Sequence, residues 1–179
     1  MADLPVPIAL QAPGVSVEGL EPLFVASLRY FETTGQFAAA VVRGVGAALP
    51  RPLAAAAVSA PAGRQFILAW RGPRESWLLC SDAAAFADLK ETIAAPDGCL
   101  VDQTGGQCAL RLRGARVSDL VLRLGSSASI PSAGEARSSR VAELHVLTLC
   151  IQTGELIMMV ERVYLTHLLD WIGKTLADF

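Results

Sequence analysis

The hydrophobic periodicity of this sequence describes one set of secondary-structure elements and then a similar set about eighty residues later. The first set opens with the strand-like run SLRYFE (27–32), followed by a helical pattern with apolar residues at Ala38, Val41, Val42, Val45 and Leu49. Two short apolar runs, QFILAW and SWLLCS, follow around a Gly-Pro turn. A second helix begins at Ser81 or Asp82 and carries Phe86, Leu89 and Ile93 on one side. The order is β-α-β-β-α.

The second set repeats this order from residue 107 onwards. The strand QCALRLRG (107–114) precedes a helix with apolar residues at Val117, Leu120, Val121 and Leu124. The runs ELHVLTLCIQ and ELIMMVER pair around a Thr-Gly turn, and a helix over 164–177 ends the chain. One small unit cannot cover its own sheet, so we predict an α+β fold in which two pseudo-repeated β-α-β-β-α units pack into one body. Chance similarity of element order remains the alternative.

The predicted boundaries follow from the repeat. We expect an N-terminal extension over 1–26, a first half over 27–97 and a second half over 98–179. The second half would include a bridging strand in GCLVDQT (98–104). We interpret the following DQTGGQ segment as a hairpin turn between two strands, because it does not open a helix as a phosphate-binding loop does.

Composition and charge exclude several classes of function. With 53% hydrophobic and 18% charged residues the chain is typical of a globular protein, and its net charge of −2 disfavours nucleic-acid binding. Every long apolar window is cut by a charge or a proline, and the N-terminus lacks an export signal, so we expect a cytoplasmic protein without membrane contact. The four cysteines form no CxxC motif, which argues against zinc and disulfides.

The sequence offers little for catalysis. His145 and His167 have no metal-site spacing to other residues, and no Gly-x-Ser-x-Gly motif is present, so we predict no catalytic residue and no metal ligand. Asp102 ends a strand just before a turn, where a carboxylate can bind a ligand or accept a hydrogen bond from the turn backbone. Both interpretations of Asp102 stay open from the sequence.

The final helix has two apolar sides. Leu165, Leu168, Leu169, Ile172 and Leu176 form the core stripe, and Tyr164, His167 and Trp171 form a second stripe. Aromatic residues are enriched at protein interfaces, so we predict that Tyr164, His167, Trp171 and the adjacent Arg162 contact a partner. Trp77 is a further interface candidate that could instead belong to the core. Alternatively, the chain's own segment 1–26 could cover the aromatic stripe.

Three segments carry a resemblance to a known family. WRGPRESWLL (70–79), CLVDQTGGQCALRLRGARVSDLVLRL (99–124) and VERVYLTHLLDWI (160–172) resemble the gamma subunits of heterotetrameric sarcosine oxidases over about residues 65–177. The middle segment is also similar to the folate-binding superfamily of the glycine-cleavage aminomethyltransferase. In that superfamily's pattern of a strand, Asp-x-Ser/Thr, a second strand, Gly and a helix, the matching positions are Asp102, Thr104, Gly114 and Ala115.

The resemblance implies an aminomethyltransferase folate-domain-like body in a complex with alpha, beta and delta subunits. In such complexes, FAD, FMN, NAD, tetrahydrofolate and zinc are expected in the partner subunits, and none is expected on this chain. The complex oxidatively demethylates sarcosine or a related N-methyl amine and passes the one-carbon unit to tetrahydrofolate. The resemblance therefore implies a non-catalytic structural subunit.

Two departures from the folate enzymes favour the passive role. Their Gly-x-x-x-Asp-Asp turn is replaced here by LTLCIQTGELIMM, in which Glu155 is the nearby carboxylate, and the KGCYxGQ signature has no counterpart. The alternative function is a stand-alone folate or small-ligand binding protein, with Asp102 and Glu155 as ligand candidates. An enzyme whose site assembles only in space is a third possibility.

Overall fold

A computed structural model describes residues 8–60 and 63–179. Within these residues the chain forms eleven strands and four α-helices. In chain order they are β1 (Ala9–Ala12), β2 (Val15–Gly19), β3 (Phe24–Tyr30), α1 (Gln36–Val45), β4 (Ala55–Ser59), β5 (Gln65–Gly72), β6 (Glu75–Cys80), α2 (Ala83–Thr92), β7 (Gly98–Asp102), β8 (Gln107–Arg113), α3 (Val117–Leu124), β9 (Glu135–Val141), β10 (Leu144–Gln152), β11 (Glu155–Glu161) and α4 (Leu165–Leu176).

The chain divides into two units. Unit 2 comprises Pro22–Thr104, and unit 1 comprises Gly105–Phe179 together with the described residues up to Glu21. Each unit contains one antiparallel sheet and two helices, so the α+β class predicted from the sequence is confirmed.

In unit 2 the strand order is β4-β5-β6-β3-β7, and every neighbouring pair is antiparallel. Helices α1 and α2 pack their apolar sides against this sheet and form one core with it. That core contains Phe37 and Val41 from α1 and Phe86 and Leu89 from α2. Asp82 is the N-cap of α2, since its Oδ1 accepts hydrogen bonds from two backbone N–H groups of the first turn. That confirms one of the two predicted helix starts.

In unit 1 the strand order is β1-β2-β8-β11-β10-β9, again antiparallel throughout. Helices α3 and α4 pack into one core with this sheet, as the predicted apolar stripes require. The buried residues from α3 are Val117, Leu120, Val121 and Leu124, and those from α4 are Leu165, Leu168, Ile172 and Leu176.

The two units repeat one topology. The order β4-β5-β6-β3 in unit 2 corresponds to β9-β10-β11-β8 in unit 1, and each set follows the chain order β-α-β-β-β-α. The sequence prediction contained five of these six elements and missed the strands β4 and β9. Both are edge strands: β4 (AAAVS) is short and rich in alanine, and β9 (EARSSRV) is mostly polar, so neither shows the run of large or β-branched apolar residues that is typical of a strand.

The strand pairing divides the chain differently from the predicted boundaries. The bridging strand β7, assigned to the half 98–179, pairs with β3 and belongs to unit 2. The hairpin β1–β2 lies in the predicted extension 1–26, and β2 pairs with β8 in unit 1; residues 1–7 of that extension lie outside the described residues. Each unit thus gains strands beyond the repeat, which give a hydrogen-bonding partner to the open edge of β3 or β8.

Two local predictions are wrong for related reasons. The DQTGGQ segment is not a hairpin turn, because β7 and β8 on its two sides belong to different sheets. Val42 was placed in the apolar stripe of α1 but is exposed, whereas Ala38, Val41 and Val45 are buried. Sequence spacing alone does not show which sheet a strand joins or how wide the buried side of a helix is.

No helix among the described residues is long and apolar enough to cross a membrane.

Candidate functional site

Exposed apolar side chains lie at the start of helix α4 and along one side of it, in the region where the sequence predicts a partner interface. It begins after a short 3₁₀ turn, Arg162–Tyr164, and its leucine and isoleucine side faces the core. Tyr164 and Trp171 are each 47% exposed, and His167 lies between them with its ring centroid 6.4 Å from that of Trp171. Val163 in the 3₁₀ turn is 80% exposed. We call Val163, Tyr164, His167 and Trp171 the aromatic patch.

Val163 was not among the predicted interface residues. Its spacing to His167 is i to i+4, which places both on one side of the helical turn, so the sequence contained the signal. The segment 1–26 was the alternative that could have covered the stripe. Its described residues leave Tyr164 and Trp171 half exposed, while Ile8, Leu10 and Ala12 pack against the core of unit 1. The described part of the segment therefore does not bury the aromatic patch.

Arg162 adjoins the aromatic patch but is bound to the backbone. Its Nε donates to the carbonyl oxygen of Gly105 (3.0 Å) and a terminal guanidinium nitrogen donates to that of Gln107 (3.3 Å). Its backbone N–H also donates to the carbonyl oxygen of Gly106 (2.9 Å). These bonds tie the start of α4 to the start of β8, so the guanidinium positions the helix that displays the patch.

Trp77, the further interface candidate, belongs to the interior. It is buried in β6, its indole Nε1 donates to Glu75 Oε1 (3.1 Å), and the guanidinium of Arg71 lies 5.7 Å from its ring centroid. A buried, hydrogen-bonded indole of this kind contributes to packing.

Asp102, the first ligand candidate, is engaged within unit 2. Its Oδ1 accepts from the backbone N–H of Thr104 (3.0 Å), and its other oxygen forms an ion pair with Lys90. Burial raises the pKa of Asp102, but the hydrogen bonds from Lys90 and Thr104 outweigh burial and hold it below its ordinary value. Thr104 Oγ1 in turn accepts from the backbone N–H of Val25 (3.1 Å). The Asx-turn interpretation of Asp102 is the one that the geometry supports.

Glu155, the second candidate, is engaged within unit 1. Its carboxylate forms ion pairs with Arg113 (2.8 Å) and Arg111 (3.2 Å) and accepts a hydrogen bond from Gln152 (3.3 Å). Burial raises the pKa of Glu155, and the two arginines outweigh burial, so the pKa lies below its ordinary value. The residue lines a cleft of about 480 Å³ near the start of α3. Asp102 and Glu155 thus lie in different units, each with its own cationic partner.

The remaining residue types that carry chemistry are dispersed. Among the described residues no group of three or more His, Cys, Asp or Glu side chains could hold a metal ion. Cys80, Cys108 and Cys150 are buried, and burial raises the pKa of each thiol, which makes them poor nucleophiles at neutral pH. His145 is exposed near the start of β10.

One feature of unit 2 had no sequence signal. A cleft of about 610 Å³ is lined by residues from the end of β3, the β5–β6 turn and the segment around the start of β7. Its charged and reactive side chains are Arg29, Arg74, Glu75 and Cys99. They come from three distant parts of the chain, and only the strand order β6-β3-β7 brings them together.

The comparisons with known proteins concern the fold. No family model matches the sequence, and no curated protein matches it. The heterotetrameric sarcosine oxidase from Corynebacterium sp. U-96, solved in complex with pyrrole 2-carboxylate, contains a chain that superposes with a TM-score of 0.79 at 17% identity. That match covers 95% of this chain and 87% of the sarcosine oxidase chain.

A second solved structure has the same fold over part of its length. Glycine cleavage system aminomethyltransferase T from Bartonella henselae superposes with a TM-score of 0.71 at 10% identity, and the match covers 89% of this chain. This chain spans 45% of that protein, less than half its length. The fold expected from the three resembling segments is confirmed. The protein therefore has the aminomethyltransferase-like fold that is also found in a chain of heterotetrameric sarcosine oxidase.

Proposed function

We propose that this chain is a non-catalytic, gamma-type subunit of a sarcosine-oxidase-like complex. The complex would oxidatively demethylate sarcosine or a related N-methyl amine, with tetrahydrofolate as the one-carbon acceptor. Its alpha, beta and delta subunits would hold FAD, FMN, NAD, tetrahydrofolate and zinc. Such a role is cytoplasmic and involves neither nucleic acid nor a membrane.

The aromatic patch is the observation that carries this proposal. Two aromatic side chains and a valine stay exposed on α4 and on the 3₁₀ turn before it, while the other side of α4 is buried in the core. Exposed clusters of large apolar side chains mark interaction sites, and Trp and Tyr are the residues that most often dominate binding energy. Arg162 fixes the start of the helix through the backbone carbonyls of Gly105 and Gln107, just before and at the start of β8, so the patch is presented without a large ordering cost.

Two further observations support a scaffold rather than an active subunit. The fold likeness covers 87% of the matched sarcosine oxidase chain, so it extends over most of one component of a heterotetramer. The two candidate acids, Asp102 and Glu155, are held by basic partners of their own units. A carboxylate that already bonds arginine or lysine loses those bonds if it turns to a ligand.

The test is assembly of the complex with the double variant Tyr164→Ala, Trp171→Ala. Each truncated hot spot costs about 2 kcal/mol or more, so the pair costs about 4 kcal/mol and we expect affinity for the flavin-bearing chains to fall by about 500-fold or more. The readout is co-purification and a binding titration with tagged partner subunits. The isolated variant should unfold within about 3 °C of the parent, because both side chains are half exposed.

A matched control removes equally exposed apolar side chains elsewhere. Val42 on α1 and Leu122 on α3 are each 46% exposed, so the Val42→Ala, Leu122→Ala variant truncates two apolar side chains of the same fractional exposure on other helices. The control should assemble as the parent does. Full assembly of the Tyr164, Trp171 variant, or equal loss in both variants, would contradict the proposal. Binding of tetrahydrofolate by the lone chain in calorimetry would favour the stand-alone binder instead.

A further inference from the structure

The cleft in unit 2 lies outside every role assigned so far. It is formed by three segments: the end of β3 with Phe31, the β5–β6 turn with Pro73 and Arg74, and the start of β7 with Pro96 and Cys99. Its volume of about 610 Å³ falls within the range of small-molecule sites, which are mostly apolar with a few polar groups.

The three segments are bonded to one another, so the cleft is preformed. The backbone N–H of Tyr30 donates to the carbonyl oxygen of Arg74 (3.1 Å), and that of Phe31 donates to the carbonyl oxygen of Asp97 (3.3 Å). Gly98 packs so closely that a Cβ there would lie 2.4 Å from the ring of the buried Phe37. The walls therefore do not need to rearrange before a ligand enters.

The charges in the cleft are arranged for one anion. Arg29 is directly opposite Glu75 in β6 and Cys99 in β7, so these three side chains form a row on one face of the sheet. Glu75 Oε1 accepts from Ser27 Oγ (2.7 Å) and Trp77 Nε1 (3.1 Å), and the Nε of Arg29 donates to the same Ser27 Oγ (3.4 Å), which leaves the terminal nitrogens of its guanidinium for a ligand. Among the described residues neither Arg29 nor Arg74 forms an ion pair, and two arginines with one glutamate leave a single excess positive charge.

The same cleft also has an apolar surface. Phe31 is 69% exposed at the end of β3, although a phenylalanine is rarely left so open to water. Proline rings of Pro73 and Pro96 contribute to the same cleft. A ligand that matches the cleft therefore carries one negative charge next to a flat apolar body.

We propose that this cleft binds a small aromatic monocarboxylate, with the carboxylate on Arg29 and Arg74 and the ring against Phe31. Guanidinium groups recognise carboxylates through paired, charge-assisted hydrogen bonds, which a neutral amide cannot replace. The residues that form this site all belong to unit 2, whereas the aromatic patch belongs to unit 1.

Cys99 supplies a reporter inside the cleft. It is the exposed one of the four cysteines, whereas Cys80, Cys108 and Cys150 are buried. Iodoacetamide, a neutral thiol reagent, should modify Cys99 first, and the Cys99→Ser variant should lose that fast modification. Naphthalene-2-carboxylate at saturation should slow the modification at least fivefold, and calorimetry should give a submillimolar Kd.

The controls separate charge recognition from general hydrophobic binding. Naphthalene-2-carboxamide is neutral and has the same shape. It should require at least ten times the concentration of the carboxylate to protect Cys99 equally. The Arg29→Gln, Arg74→Gln variant should lose at least tenfold in affinity for the carboxylate. The Arg43→Gln, Arg51→Gln variant removes two exposed arginines outside the cleft and should bind as the parent does.

Three outcomes would overturn the proposal. Equal protection by the carboxamide would remove the role of the arginines, and so would unchanged affinity in the Arg29, Arg74 variant with an unchanged melting temperature. Protection of Cys99 by added partner subunits, without protection by the carboxylate, would assign the cleft to a protein interface.

Discussion

Gly114 is the position at which one added methyl group should do most damage to unit 1. It has φ +125°, and a Cβ there would lie 2.1 Å from the carbonyl oxygen of Gly14 and 3.2 Å from the Cα of Val15. Both atoms are backbone, in the turn that joins β1 to β2 and at the start of β2. The clash cannot be relieved by rotating a side chain.

The cost of Gly114→Ala follows from three contributions. Backbone strain at this φ is about 1–3 kcal/mol, and loss of the hydrogen bond from Arg116 N–H to Gly14 O (3.0 Å) adds about 1 kcal/mol. Moving the β1–β2 hairpin away would expose Val15 and Val17, each of which contributes about 1.5–3 kcal/mol when buried. Strain and the lost hydrogen bond together give a loss of about 2–4 kcal/mol of unfolding free energy, and full detachment of the hairpin would add the burial contribution of the two valines.

Thermal and urea unfolding, followed by circular dichroism, measure this loss. For a chain of this size each kcal/mol lowers the melting temperature by about 2–4 °C, so we expect a fall of about 5–15 °C. Hydrogen exchange should also show faster exchange in β2 than in the other strands of unit 1, because the added methyl displaces the hairpin.

Gly154→Ala is the matched control. Gly154 also has a positive φ, +84°, but a Cβ there would contact nothing within 4 Å. It should cost about 1 kcal/mol from strain alone. If Gly114→Ala unfolds at the same temperature as Gly154→Ala, the close approach of the hairpin to β8 is wrong, and so is the assignment of β1 and β2 to the sheet of unit 1.

The remaining predictions concern one ion-pair cluster and one helix cap. The pKa of Glu155 is lowered on folding, so its stabilisation is present above the unfolded value of about 4.3 and is lost as the pH falls through the folded value. Glu155→Gln should therefore lower the melting temperature at pH 7, and the difference from the parent should shrink as the pH falls through the folded pKa; parallel pH profiles would contradict this. Asp82→Ala removes the N-cap of α2 and should cost about 1 kcal/mol in urea unfolding, with Asp82→Asn close to the parent. Equal stability of all three proteins would show that the cap is not needed.

The aromatic patch is exposed for two reasons, the helical spacing of its residues and the lack of a covering segment among the described residues. The sequence shows only the first. The spacing of Tyr164, His167 and Trp171 fixes them on one side of α4 because a helix turns by 100° per residue. Whether another part of the chain covers that side is a tertiary question. The hairpin β1–β2 could have done so, and instead it continues the sheet beside β8.

For the ligand candidates Asp102 and Glu155 too, the sequence shows some features and the tertiary structure sets the others. The position of Asp102 at a strand end was visible in the sequence, and so was its capacity to bond the turn backbone. Its ion pair with Lys90, and that of Glu155 with Arg111 and Arg113, depend on neighbouring elements that pack or pair in space. Charge alone therefore did not show that both carboxylates are already engaged.

By itself the sequence determined the class of structure, the four helices with their buried sides, the duplicated order of elements and the segments that resemble a known fold. These depend on periodicity and local capping, which act over a few residues along the chain. Only the tertiary structure decided which sheet β7 and the β1–β2 hairpin join, and that Arg29, Arg74 and Cys99 meet in one cleft. Strand pairing depends on residues far apart in the sequence. It is set by which sheet edge has unpaired backbone groups and by which side chains become buried, and the local spacing of residues specifies neither.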